Sequence, residues 1–225
     1  ELHAQNLHGL RTRVFPESVA YQKSSPVISQ VEEKQEAVEN NSSSKGIHEK
    51  NPKSEIRNPN LAMEEAQRFV YNGAYDLAIG ILEQVVRDSP RHFDAHYLMA
   101  QGYANRGEYE KAADCCKKAI GIDATAANPY FLLAHIAEAQ GDDDEAENVL
   151  KKALYLAPTF VAAYLELGAL YERGHDASRA RKMRTTAMEL LNTLPPDKAI
   201  EPYKETTAGE LLKYIRKMLG FTEEK

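Results

Sequence analysis

The chain has 225 residues, 43% of them hydrophobic, and a formal net charge of −6. That acidic balance argues against nucleic acid as a partner, since neutralising phosphates requires a concentrated basic face. No run of about 18 apolar residues is available to span a bilayer, and no basic-then-apolar signal pattern opens the chain, so the expectation is a soluble, cytoplasmic protein without membrane insertion.

Residues 1–23 contain two short, partly alternating runs, 10–15 and 19–23, split by Pro16-Glu17-Ser18, which suits two strands and a tight turn. An isolated hairpin is marginal in water. The stretch therefore reads either as the remnant of a preceding domain or as a free-standing tail. Across 24–58 Ser, Asn, Glu and Lys dominate, and Asn40-Asn41-Ser42-Ser43-Ser44 offers nothing to pack. This is a flexible linker, with a reach of roughly 30 to 35 Å.

From residue 59 one 34-residue pattern repeats four times without a gap, over 59–92, 93–126, 127–160 and 161–194. The eighth position is small (Ala66, Ala100, Ala134, Gly168), the twentieth is alanine (Ala78, Ala112, Ala146, Ala180), and the twenty-seventh is small or β-branched (Val85, Ala119, Ala153, Ala187). The eleventh is aromatic in three units (Phe69, Tyr103, Tyr171) and Ala137 in the other. Glycine holds the fifteenth in three units (Gly73, Gly107, Gly141) and shifts to Gly174 in the last. Positions three and four apart share a helix face, so two helices per unit approach closely through their small residues. The glycine ends the first helix by taking a left-handed conformation, and Pro90 and Pro158 stop the second in units one and three. The pattern resembles the tetratricopeptide (TPR) repeat. It implies an all-α superhelix of four helix-turn-helix repeats. The family's usual tryptophan near position 4 is replaced by Ala62, His96, Tyr130 and Tyr164.

Residues 195–225 read as a loop and a capping helix. Pro195-Pro196 stops the last repeat, a polar loop runs through Pro202, and Thr207-Ala208-Gly209-Glu210 forms a capping box. The helix it opens carries Leu211, Leu212, Ile215, Met218 and Leu219 on one face, which closes the open end of the stack.

In the TPR family the first helices line the concave surface, so the resemblance implies that positions 2, 5, 9, 12 and 13 of each unit point there. Position 5 reads Met63, Tyr97, Phe131 and Leu165, an apolar line flanked at position 9 by Gln67, Gln101, His135 and Ala169. Tyr71, Asn105, Glu138, Glu172 and Arg173 make a polar border. Together they outline a groove for a protein or peptide partner, unless position 5 packs partly against the neighbouring unit. Of the lysine, asparagine and arginine clamp with which some TPR proteins hold chaperone tails only the asparagine is kept, since Met63, Gln67, Leu98, Asn128 and Leu132 stand at those places, and such a clamp is not expected.

The search for chemistry is negative. His92 and His96 are four apart with no third ligand at a recognisable spacing and read as a surface pair. Asp142-Asp143-Asp144-Glu145 lacks the ligand alternation and central glycine of a calcium loop. Cys115 and Cys116, the only cysteines, are adjacent and read as reduced helix residues. No phosphate-binding glycine loop or nucleophile elbow occurs. No catalytic residue, metal ligand or cofactor site is recognised in this chain.

A second resemblance comes from the ends. Arg13-Val14-Phe15-Pro16-Glu17-Ser18-Val19-Ala20-Tyr21-Gln22-Lys23 resembles the final strands of the catalytic domain of CheR-type chemotaxis receptor methyltransferases. Leu194-Pro195-Pro196-Asp197, with Thr207-Ala208-Gly209-Glu210-Leu211-Leu212, resembles the ending of those members that carry TPR extensions. The resemblance implies a parent enzyme that transfers a methyl group from S-adenosylmethionine to receptor glutamates, with its cofactor residues before Glu1. Its implied partners are a chemoreceptor, a signalling protein or the enzyme's own catalytic domain. The alternatives are a stand-alone scaffold or co-chaperone, and an autoinhibited form whose N-terminal residues or linker fill the groove.

Overall fold

The structure, a computed structural model, describes residues 59–221. The stretches read above as a domain remnant and a linker lie outside the described residues. Eight helices form four successive hairpins: α1 (Pro59–Tyr71) with α2 (Tyr75–Asp88), α3 (Phe93–Asn105) with α4 (Tyr109–Ile122), α5 (Ala127–Gln140) with α6 (Asp143–Leu156), and α7 (Val161–Arg173) with α8 (Ala177–Asn192). Within each hairpin the small residues meet. Ala66, Ala100 and Ala134 at position 8, the alanines at position 20 and the residues at position 27 are all 2% exposed or less. In the fourth unit a Cβ on Gly168 would stand 3.4 Å from the Ala180 carbonyl oxygen, a contact that leaves little room for anything larger.

The turn between paired helices is the same in all four units. The amide at position 16 donates to the carbonyl at position 11: Ala74 to Phe69, Glu108 to Tyr103 and Asp142 to Ala137 at 2.9 Å, and Asp176 to Tyr171 at 2.8 Å. This bond satisfies a carbonyl the helix end leaves open. It requires a left-handed residue at position 15, and Gly73, Gly107 and Gly141 supply it with φ of +77°, +74° and +80°. The fourth unit departs from expectation. Gly174 is not left-handed, with φ −75°, and His175 takes the left-handed conformation with φ 59°. Helix packing fixes the place of the turn, so the backbone conformation stays at position 15 although the glycine has moved.

His96 also corrects the sequence reading. It is 4% exposed, and its Nε2–H donates to the Pro90 carbonyl at 2.9 Å. Position 4 lies on the helix face that carries positions 8 and 11, so a residue there goes into the repeat. His92 caps α3, its Nδ1 accepting from the Ala95 amide at 3.3 Å. Asp142 caps α6 in the same way, accepting from the Glu145 amide at 3.0 Å. Among the described residues no group of three or more candidate ligands could hold a metal ion. Cys115 and Cys116 are buried and unpaired, and burial pushes the Cys116 thiol up to about 12.

Past α8 the expected polar loop is a small antiparallel hairpin. β1 (Ala199–Ile200) pairs with β2 (Tyr203–Thr207), Ile200 opposite Tyr203 and Ala199 opposite Thr207. Thr207 then opens α9 (Ala208–Met218) with both halves of the capping box formed. A Cβ on Gly209 would approach the Pro196 carbonyl oxygen to 3.0 Å, so glycine lets the loop cross there. Helix α9 packs on α8, burying Leu211, Ile215 and Leu219. Two buried clusters result. One spans units one and two and takes in Leu132 and Ile136 of α5. The other spans units three and four, the hairpin and α9, and takes in Phe131 and Ala134, so α5 ties the halves together.

Two outcomes are expected. His175→Gly should raise the unfolding free energy by about 1 kcal/mol, because the left-handed conformation costs a residue with a Cβ roughly that much; urea titration measures it. For the Cys116 thiol, the folded protein holds the proton more tightly than the unfolded chain. Its stabilisation is complete below the ordinary value of 9.0 and is lost as the pH rises toward about 12. Cys116→Ala should therefore flatten the fall in melting temperature over that alkaline range.

Candidate functional site

The first helices of the units, α1, α3, α5 and α7, carry the residues expected to form the groove, and their exposure changes steadily along the stack. On α1, Gln67 is exposed, Tyr71 is 69% exposed and Met63 is half-buried against the first cluster. On α3, Tyr97, Gln101 and Asn105 are half-buried. Tyr97 stacks on Phe93 with ring centroids 6.3 Å apart. The Asn105 Nδ2 donates to the Gln101 carbonyl at 2.8 Å, while its Oδ1 is buried with no hydrogen-bond donor.

Further along, the groove closes. Phe131 on α5 is 2% exposed and Leu165 on α7 is 3% exposed, and neither offers surface to a partner in this conformation. Phe131 packs edge-on against His135, with ring centroids 4.6 Å apart, and at a tilt of 43° against Phe160 at 4.8 Å. On α7 the other concave positions are closed as well, Ala162 at 0% and Ala169 at 7% exposure. The polar border here is spent on contacts within the protein. Arg173 donates to Glu138 at 2.9 Å and lies 3.5 Å from Asp143, joining units three and four. Glu172 pairs with the buried Arg184 of α8, one of the two bonds measuring 3.3 Å.

The β1–β2 hairpin joins the buried cluster at this end of the stack. Ile200 and Tyr203 are 6% and 3% exposed, and both belong to the cluster that holds Phe131, Val161, Ala162 and Leu165. The Tyr203 hydroxyl donates to Glu166 Oε1 at 3.1 Å. Glu166 occupies position 6, where units two and three carry Leu98 and Leu132. Leu132 packs into the cluster of the preceding units, so position 6 faces backwards, and Glu166 sits at the seam between units three and four. Tyr203 reaches that seam only if the hairpin turns back over the stack. Glu201 lies within electrostatic reach of Tyr97, two units earlier. Burial pushes the Tyr97 phenol above its ordinary range, and the Cys116 and Glu201 charges add to the shift while its bond with Gln101 opposes it.

Sequence reasoning missed Ile200, Tyr203 and Glu166. The available signal was an isoleucine and a tyrosine inside a stretch otherwise read as a polar loop. The second was a glutamate at a position that is leucine in the two inner units.

The fold is a TPR-type superhelix, the class of helical repeat array that the period and the four hairpins define. The family model for subunit 3 of the anaphase-promoting complex, or cyclosome, matches residues 71–153. A crystal structure of MamA is 23% identical, covering 60% of this chain and 80% of that one with a TM-score of 0.56. A MamA fragment from Desulfovibrio magneticus RS-1 is 21% identical, over 60% of this chain and 77% of that one, with a TM-score of 0.55. In the APC/C hetero-tetramer Cut9–Hcn1 the match is 16% identical over 72% of this chain and 30% of that one, with a TM-score of 0.59. These are likenesses of fold. No curated protein matches the sequence.

Because Phe131 is core and Tyr71 is surface, their truncations should separate. Phe131→Ala is expected to cost about 3 to 5 kcal/mol of stability, and Tyr71→Ala to stay within about 0.5 kcal/mol of the parent. Thermal and urea unfolding of the two variants side by side checks both.

Proposed function

We propose that the chain is a protein-interaction module that receives an extended peptide or a helix on the open end of its concave face. The observation that carries this is the set on α1 and α3: exposed Gln67 and Tyr71 with half-buried Tyr97, Gln101 and Asn105. The exposed Gln67 amide can bond the backbone of a bound segment, and the tyrosines offer rigid contact area beside it.

The finer reading is that this module is the C-terminal TPR extension of a CheR-type chemotaxis receptor methyltransferase. It rests on the resemblance of residues 13–23, 194–197 and 207–212 to that family; the likenesses of fold do not bear on it. Methyl transfer from S-adenosylmethionine would then be the work of the catalytic domain, while this chain supplies recruitment of a chemoreceptor or signalling protein, or docking of the catalytic domain itself.

Two measurements test the two levels. Fluorescence titration with a purified chemoreceptor cytoplasmic fragment is expected to saturate, and Gln67→Ala combined with Tyr71→Ala to weaken binding at least about tenfold with helicity unchanged. Saturable binding that the double variant leaves untouched overturns the groove, and absence of binding overturns the receptor reading. An immunoblot against the repeats addresses the parent. A band about 20 to 30 kDa heavier than the chain, one further domain, supports the methyltransferase, whereas a band near 25.2 kDa favours a stand-alone scaffold or co-chaperone.

A further inference from the structure

The concave face is open over α1 and closed over α7, where Ala162, Leu165 and Ala169 are 0%, 3% and 7% exposed. Two short strands with two apolar anchors join the buried cluster at that end. Ile200 enters the buried cluster with Phe131 and Leu165, and the Tyr203 ring follows it, with its hydroxyl on Glu166 at 3.1 Å. We propose that this hairpin is a resident, displaceable ligand of the groove. It occupies the seat of a partner segment that presents an aliphatic side chain and, three residues on, a tyrosine. The proposal rests on the reading of the concave face as the partner surface and names the chemistry its closed half accepts.

Three features of the seat fit an occupant that leaves and returns. The floor is not apolar throughout: Glu166 is 1% exposed beneath the hairpin, and burying a carboxylate is costly even when it is hydrogen-bonded. When the hairpin lifts, water reaches Glu166 and offsets part of the lost apolar contact. The hairpin is also small, since two strands on their own are marginal in water, so its order depends on the seat. Finally, the cap has anchorage of its own. Helix α9 packs on α8, begins with its own capping box and buries Leu211 and Ile215, contacts it keeps when the hairpin lifts, although the Ala208 amide then gives up its bond to the Lys198 carbonyl.

The test uses a fluorescein-labelled synthetic peptide of residues 197–207, added in trans to the full chain and to an Ile200→Ala, Tyr203→Ala variant. In the wild type the resident hairpin competes, so apparent affinity falls by the fraction of molecules with an open seat. The folded variant is expected to bind at least about tenfold tighter than the wild type, with Tyr203→Phe intermediate because the bond to Glu166 is lost while the ring stays. A variant of unchanged helicity that binds no better overturns the proposal. Should the double variant fail to fold, hydrogen exchange on the wild type decides. Amides of Ala199–Ile200 and Tyr203–Thr207 exchanging at least about tenfold faster than those of α7 support a displaceable hairpin, and exchange at a common rate overturns it. The peptide probes the seat over α7, whereas the Gln67 and Tyr71 variants probe α1, so the proposal and the reading beneath it fail separately.

Discussion

The rest of the structure depends on how closely paired helices approach, and that distance is set by side-chain volume at three places in each unit. With alanine or glycine at position 8 against alanine at position 20, and a residue no larger than valine at position 27, the helices of a unit sit close enough to exclude water from the contact. A tight hairpin cannot bury both faces of its helices alone. Each unit therefore presents an apolar face to the next, and the array continues until something dissimilar stops it. At the C-terminal end α9 is that stop, a helix whose apolar face is taken up by α8 and whose exposed side carries Lys213, Arg216 and Lys217.

The same constraint explains why the turn chemistry is invariant in geometry but not in sequence. Once the helices are docked, the bond from the position-16 amide to the position-11 carbonyl is available only if position 15 is left-handed, and it forms in all four units. Three glycines accept this without strain. His175 accepts it because the packing on either side outweighs a local penalty of about 1 to 2 kcal/mol. Packing of small residues decides the backbone here, and local propensity adjusts to it.

Much of the fold was legible because its causes are periodic. Positions 8, 20 and 27 recur at a spacing that only stacked helix pairs explain, and the Thr207 and Glu210 box is a local signature that needs no tertiary partner to be read. The candidate site was legible only in part. Gln67, Tyr71, Tyr97, Gln101 and Asn105 retain exposure on α1 and α3 because no later element among the described residues reaches over all of them. Phe131 and Leu165 stand at equivalent positions but are buried in a cluster that a later segment joins, a long-range event tied by the bond between Tyr203 and a glutamate 37 residues earlier. His96 shows the converse. Its polarity pointed to the surface, yet position 4 belongs to the buried face of the repeat, and one bond to the Pro90 carbonyl makes the burial tolerable.

The unequal groove limits how a partner is held. A specific interface of ordinary size buries about 800 Å² on each side, which is more than a line of five side chains on two helices supplies. A partner confined to α1 and α3 therefore has to draw its affinity from a few well-packed anchors, with Tyr71 and Tyr97 the ones present, or remain weak. Access to the surface over α5 and α7 requires the hairpin to move, and the energy for that has to come from contacts better than those of Ile200 and Tyr203. Selectivity follows from that comparison. A segment that matches the hairpin's anchors and adds contacts on α1 and α3 gains the whole length of the groove, whereas one that fits only the open half leaves the resident segment in place.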